Sequence, residues 1–109
     1  MTEQEIIYTM ALTRVPRVNT AAQHRLMEEL GSASAVFDHR HHIRDFYSEA
    51  SDKLSAALQE MEIQVARAEE ELEFTRKHHI KCLCYHDTDY PSRLRECDDA
   101  PLLLYYKGN

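Results

Sequence analysis

The chain has 109 residues, 43% of them hydrophobic, with only two glycines and three prolines, which bounds it to one domain or one domain plus a piece of a second. Its formal charge is −6 and its mean hydropathy −0.59, and no apolar run approaches the ~18 residues that a membrane span needs. A membrane protein, a disordered tail and a strongly basic nucleic-acid binder are excluded, and the cytoplasm is the expected location.

The charge is uneven. Residues 1–48 hold five arginines against six acids, residues 49–79 four cations against eight acids, and residues 80–109 four against five. Affinity that comes from neutralising phosphates requires a basic surface, at least locally. Any contact with nucleic acid here is therefore expected to be weak and local.

The opening "TEQEIIYTMAL" predicts a helix begun by a capping box, in which Thr2 accepts from the Glu5 amide and the Glu5 side chain reaches back. Ile6, Ile7, Met10 and Ala11 share one side at helical spacing. Pro16 disfavours a helical Val15 and stops this element. Asn19 or Thr20 caps a second helix through Leu26, Met27 and Leu30, and Gly31 stands at its C-terminal cap. Ser32 starts a third, short helix that contributes Val36 and Phe37.

One longer helical region follows. Leu54, Leu58, Met61, Val65, Ala68 and Leu72 step by 4, 3, 4, 3 and 4, a heptad stripe too short to demand a coiled coil and suited to packing across the small helices. Its outer faces carry the acidic excess, and "RKHH" places cations where the helix dipole favours them. The texture then changes near His79. "IKCLCYH" alternates as a strand, "DTDYPSRL" reads as a turn into one helical turn, and "LLLYY" reads as a second strand, apolar on both faces. The expected fold is mainly α: a small helical bundle over residues 1–79, then a short two-strand α/β piece over 80–109.

Few residues suggest chemistry. Cys82, Cys84 and Cys97 are an odd count, unlike a disulfide framework, and read as reduced thiols. Cys82, Cys84 and His86 share one strand face, but at ~3.3 Å per residue they spread over ~13 Å, too far for one ion. No metal ligand set, cofactor or catalytic residue is assigned. Phosphate loops and nucleophile elbows need glycines that the chain lacks, and "HDTD" reads as turn-capping residues.

"LTRVPRVNTAAQHRLMEELGS" is more informative: helix, five- or six-residue hairpin, helix, the plan of a helix-hairpin-helix motif. In that motif hairpin amides and the next helix's N-terminus hold a phosphate without reading bases. Arg17 and Asn19 stand where glycines are expected, and Asn tolerates left-handed φ better than Arg does. Arg14, Arg17 and Arg25, with Asn19 and Thr20, are the candidate weak phosphate contacts. A plain turn between two packed helices accounts for the same residues.

Three segments in fixed order carry a family resemblance: "ALTRVPRVNTAAQHRLMEELGSASAVF", then "D-x-D-Y-P-x-x-L", then "D-x-A-P-x-x-L-Y-x-K-G". With these gaps the chain resembles the N-terminal part of the DNA-processing protein A family (DprA, also called Smf), over essentially its whole length. The resemblance implies a sterile-alpha-motif-like helical domain joined to an extended Rossmann domain, here truncated, in a bacterial protein without enzymatic activity. It implies single-stranded DNA and the RecA recombinase as partners of the full-length protein, in natural transformation and recombination. Asp89, Tyr90, Pro91 and Leu94 would form the family's turn between strand and helix. Pro101 to Gly108, with Lys107, would form an early sheet strand that pairs with strands following it. The family's glycine-rich DNA loop would lie beyond Asn109, leaving this piece accessory. His79 stands where a glycine often ends the long helix, which predicts a strained turn. From the residues alone, the rival expectation is an interaction or oligomerisation module that uses the acidic helix and the terminal strand, with a strand-exchanged homodimer as one form.

Overall fold

A computed structural model describes residues 2–107. It is mainly helical: α1 (Glu3–Arg14), α2 (Thr20–Leu30), α3 (Ala33–Asp38), a 3₁₀ segment (Arg40–Asp45), α4 (Asp52–Leu58), α5 (Met61–Lys77), β1 (Ile80–Cys84), α6 (Ser92–Arg95) and β2 (Leu103–Lys107). No helix among the described residues is long and apolar enough to cross a membrane.

α1 lies at the centre. Thr9, Met10, Ala11 and Leu12 are all buried, four consecutive positions that span a full turn, so the helix is enclosed on every side at that turn. It packs chiefly on α5 and also touches α2, α3 and both strands. Around it Leu26, Val36, Ile43, Leu58 and Met61 are fully buried or nearly so. Removing such a side chain from water stabilises the fold by about 1.5–3 kcal/mol. The same core takes in Cys84, Leu102 and Leu103 from the strand region.

The caps fall where the sequence places them. Thr2 accepts from the Glu5 amide at 3.2 Å, Asn19 from Ala22 at 2.8 Å and Ser32 from Ala35 at 3.1 Å. Val15 is extended ahead of Pro16, and Gly31 closes α2 at φ 97°. One half of the expected capping box is different. Glu5 does not reach back; its Oε1 accepts from the Ala33 and Ser34 amides, at 2.8 and 3.3 Å, at the start of α3. With Ser32, this gives partners to the first three amides of a six-residue helix, which the helix itself leaves orphaned.

The single long helix is corrected too. α4 and α5 are separated at Gln59 and Glu60, where the Gln59, Glu60 and Ile63 amides bond three residues back instead of four. Gln59 Nε2 donates to the Arg40 carbonyl at 2.9 Å and so ties the break to the 3₁₀ segment. Leu58 and Met61 flank the break and are both fully buried, so the stripe keeps its core contact across it.

β1 and β2 form an antiparallel pair in which Cys82 faces Tyr105 and Cys84 faces Leu103. The terminal strand is thus not left without a partner within the described residues, since β1 pairs with it. Nor is it buried on both faces: Leu103 is buried, but Tyr105 and Tyr106 are exposed. Thr75 packs beside Cys82, and the Tyr105 hydroxyl donates to Glu71 at 3.1 Å, which sets this sheet face against α5.

Candidate nucleic-acid interface

The hairpin between α1 and α2 is held by its own apolar residues. Val15 and Val18 are buried, the Val18 amide bonds the Val15 carbonyl, and the buried Gln23 amide donates to the Val18 carbonyl at 3.1 Å. Chain reversal between these anchors requires one left-handed residue. Arg17 supplies it at φ 71°, whereas Asn19 is extended (φ −76°, ψ 173°) and acts as the N-cap. Thr20, the first residue of α2, is half-buried. His79 is the second non-glycine residue of this kind among the described residues, at φ 56°, where α5 gives way to β1.

The three arginines point to different partners. Arg14 pairs with Glu71 on α5, and that carboxylate raises its pKa. Arg25 lies over the Tyr47 ring at 5.7 Å and pairs with Glu49 at 3.3 Å and Glu29 at 3.7 Å. Arg17 has no carboxylate within ion-pair distance among the described residues, but it lines an open cavity of about 240 Å³ with Pro16, Ala56, Ala57 and Glu60. Among the described residues Arg14 and Arg25 are therefore each neutralised by carboxylates, and Arg17 is not.

The second group of sequence-marked residues folds into one interlocked turn. Tyr90 is buried and its hydroxyl donates to the Pro101 carbonyl at 2.7 Å; burial raises its pKa. Pro91 caps α6, Leu94 is half-buried, Asp89 is exposed, and Lys107 faces Ile80 across the sheet. Gly108 lies outside the described residues.

Sequence reasoning missed the residue that ties this turn together. Arg95 donates to the Tyr85 and Asp87 carbonyls, at 3.2 and 2.6 Å, and its guanidinium lies 5.8 and 5.4 Å from the Tyr85 and Tyr90 ring centres. The available signal was a cation inside an otherwise acidic turn, "RECDD". His24 on α2 was also missed. Its Nε2 lies 2.5 Å from the Ala100 carbonyl, which only accepts, so Nε2 carries the proton and docks α2 onto this turn.

The thiols offer no nucleophile on the strand. Burial raises the pKa of Cys82 and pushes that of Cys84 up to about 12. Cys97 is exposed, with its sulfur 3.8 Å from the Arg93 carbonyl. Among the described residues no three or more His, Cys, Asp or Glu side chains gather as a metal site. Searches against protein-family models and against curated proteins match this chain to nothing.

Proposed function

We propose that this chain serves, without chemistry of its own, in the handling of single-stranded DNA in the bacterial cytoplasm, in the manner of the DprA family and alongside a RecA-type recombinase. Its helical part is accessory to the DNA contact. What supports the family reading is that the two marked segments interlock, through the 2.7 Å bond from Tyr90 to the Pro101 carbonyl. The accessory role rests on the carboxylates paired with Arg14 and Arg25, two of the three hairpin arginines.

Fluorescence anisotropy of a short labelled single strand, titrated at low and then rising salt, tests this. The expected result is weak binding that favours single strands over duplex. Its slope of log K on log salt should be no steeper than about −0.7, one phosphate's worth for single strands. Tight, steeply salt-dependent binding would make the hairpin a DNA site in its own right. No binding at low salt would remove the DNA role from these residues.

The second reading, a protein-interaction module, is favoured by a separate observation. Ile63 and Phe74 on α5 are 59% and 54% exposed and stand eleven residues apart, three turns along one face. Sedimentation velocity at several concentrations separates the two readings, since only the second requires a specific oligomer or complex.

A further inference from the structure

The histidine-rich run "DHRHH" leads from the end of α3 into the 3₁₀ segment, and nothing above uses its histidines. His39 is the C-cap of α3, and His42 follows three residues later within the 3₁₀ segment. His42 departs from helical geometry (φ −141°, ψ 45°), a kink within that segment. Nδ1 of His39 and Nε2 of His42 face each other at 3.3 Å. The Phe46 ring backs both imidazoles, with its centre 3.9 Å from that of His39 and 6.1 Å from that of His42.

That separation has a chemical meaning beyond a hydrogen bond. Two imidazole nitrogens bound to one zinc ion at ~2.0–2.1 Å, with a tetrahedral angle between them, lie about 3.3–3.4 Å apart. The pair is thus already spaced for a tetrahedral cation, and Phe46 restricts the rotamers that binding would otherwise have to order. The neighbouring cations are turned elsewhere. Arg40 lies 4.0 Å over the Phe37 ring, donates to the Phe37 carbonyl at 2.8 Å and approaches Glu62 at 3.7 Å. Arg44 donates to the Ala50 carbonyl at 2.8 Å and pairs with Asp52.

We propose that His39 and His42 form a bidentate surface site for a transition-metal cation of zinc's type, with water filling the other coordination positions. Both facing nitrogens then present lone pairs. Whichever ring held the proton between them carries it instead on its far nitrogen, His39 Nε2 or His42 Nδ1, and neutral rings lose no proton overall.

The test is a zinc titration of the whole chain, carrying Cys97→Ser to remove the exposed thiol, near pH 7.5. It is followed by long-range proton–nitrogen NMR of the imidazole rings. Expected is one saturating isotherm in which His39 Nδ1 and His42 Nε2 shift together. H39A and H42A should each weaken binding at least tenfold, while H41A changes it less than twofold. Zinc shifts centred on His41, His78 or His79, or an H42A variant that binds zinc as well as its parent, would overturn the proposal. The ring shifts of the parent protein decide the matter even where a variant fails to fold.

Discussion

Glu5 gives the sharpest test of how the helices are joined. Its carboxylate accepts from two amides of α3, at 2.8 and 3.3 Å, across 28 and 29 residues of sequence. Hydrogen bonds to a charged partner contribute about 1.5–3 kcal/mol net, and a negative charge at a helix start adds roughly 0.3–1 kcal/mol. The 3.3 Å bond is the weaker of the two, so Glu5→Ala should cost about 2 kcal/mol. With a urea m-value of about 1–3 kcal/mol/M, the midpoint falls by on the order of 1 M. Glu5→Gln keeps the acceptor without the charge and should lose about half as much. Double-mutant cycles then separate the two possible roles of this side chain. A capping box would couple Glu5→Ala to Thr2→Ala. Here Thr2 accepts from the Glu5 backbone amide, which the mutation leaves in place, so those two losses should add. Ser32 holds the next amide of the same short helix, so Glu5→Ala and Ser32→Ala should couple by about 0.5 kcal/mol or more. The reasoning fails if Glu5→Ala costs under ~0.5 kcal/mol, as an idle surface residue would, or if the coupling is to Thr2.

Tyr90→Phe keeps the buried ring and removes only the bond to Pro101, so it should cost about 1 kcal/mol and lower Tm by about 4–8 °C in a thermal melt followed by circular dichroism. Arg17→Gly should stabilise the chain by up to ~1 kcal/mol in the same melt, because a left-handed residue with a side chain costs ~1–2 kcal/mol and glycine returns part of that as unfolded-state entropy. Burial raises the Cys84 pKa from 9.0 to about 12, so the folded state holds that proton longer than the unfolded one. Its contribution is whole below pH 9 and is lost as pH rises from 9 through about 12. Urea midpoints taken from pH 8 to 11 should therefore fall, and Cys84→Ala should flatten that fall. Tyr105 is part-exposed, but its hydroxyl lies against Glu71, and desolvation there and then the Glu71 charge raise its pKa, so absorbance at 295 nm should show one late-ionising phenol that Tyr105→Phe removes.

What was legible in the sequence was local. The Thr2, Asn19 and Ser32 caps, the stop at Pro16 and the left-handed Gly31 each depend on residues within four positions of one another, and the α-helical geometry fixes those relations. The core stripe of α4 and α5 was legible for the same reason. Its interruption was not, because the Gln59 amide finds its acceptor on Arg40, nineteen residues earlier. Glu5 was assigned the nearer of two chemically equal targets. The partner of β2 depends on a sheet register that no local pattern encodes, and the exposure of Tyr105 and Tyr106 on what covers the sheet's far end. Arg95 was hidden because it binds backbone carbonyls, which leave no signature in side-chain identity.

The weakness expected of any DNA contact follows from charge more than from hairpin shape. Arg17 shows that the missing glycine did not prevent the left-handed turn, so the backbone of a phosphate-holding hairpin can form here. Nor are the ion pairs themselves a strong lock, since an exposed pair contributes ~0–1 kcal/mol and a phosphate oxygen could replace the carboxylate. The displaced carboxylate, however, stays attached a few ångströms away, inside the ~10 Å Debye length of 0.1 M salt. What a phosphate meets is therefore the local sum. Arg14 with Glu71 comes to zero and Arg25 with Glu29 and Glu49 to −1, while Arg17, with no carboxylate in ion-pair distance among the described residues, adds +1. With three arginines against three paired carboxylates the rim as a whole sums to zero, so it releases few condensed counterions from a strand, and that release is the main source of nonspecific affinity.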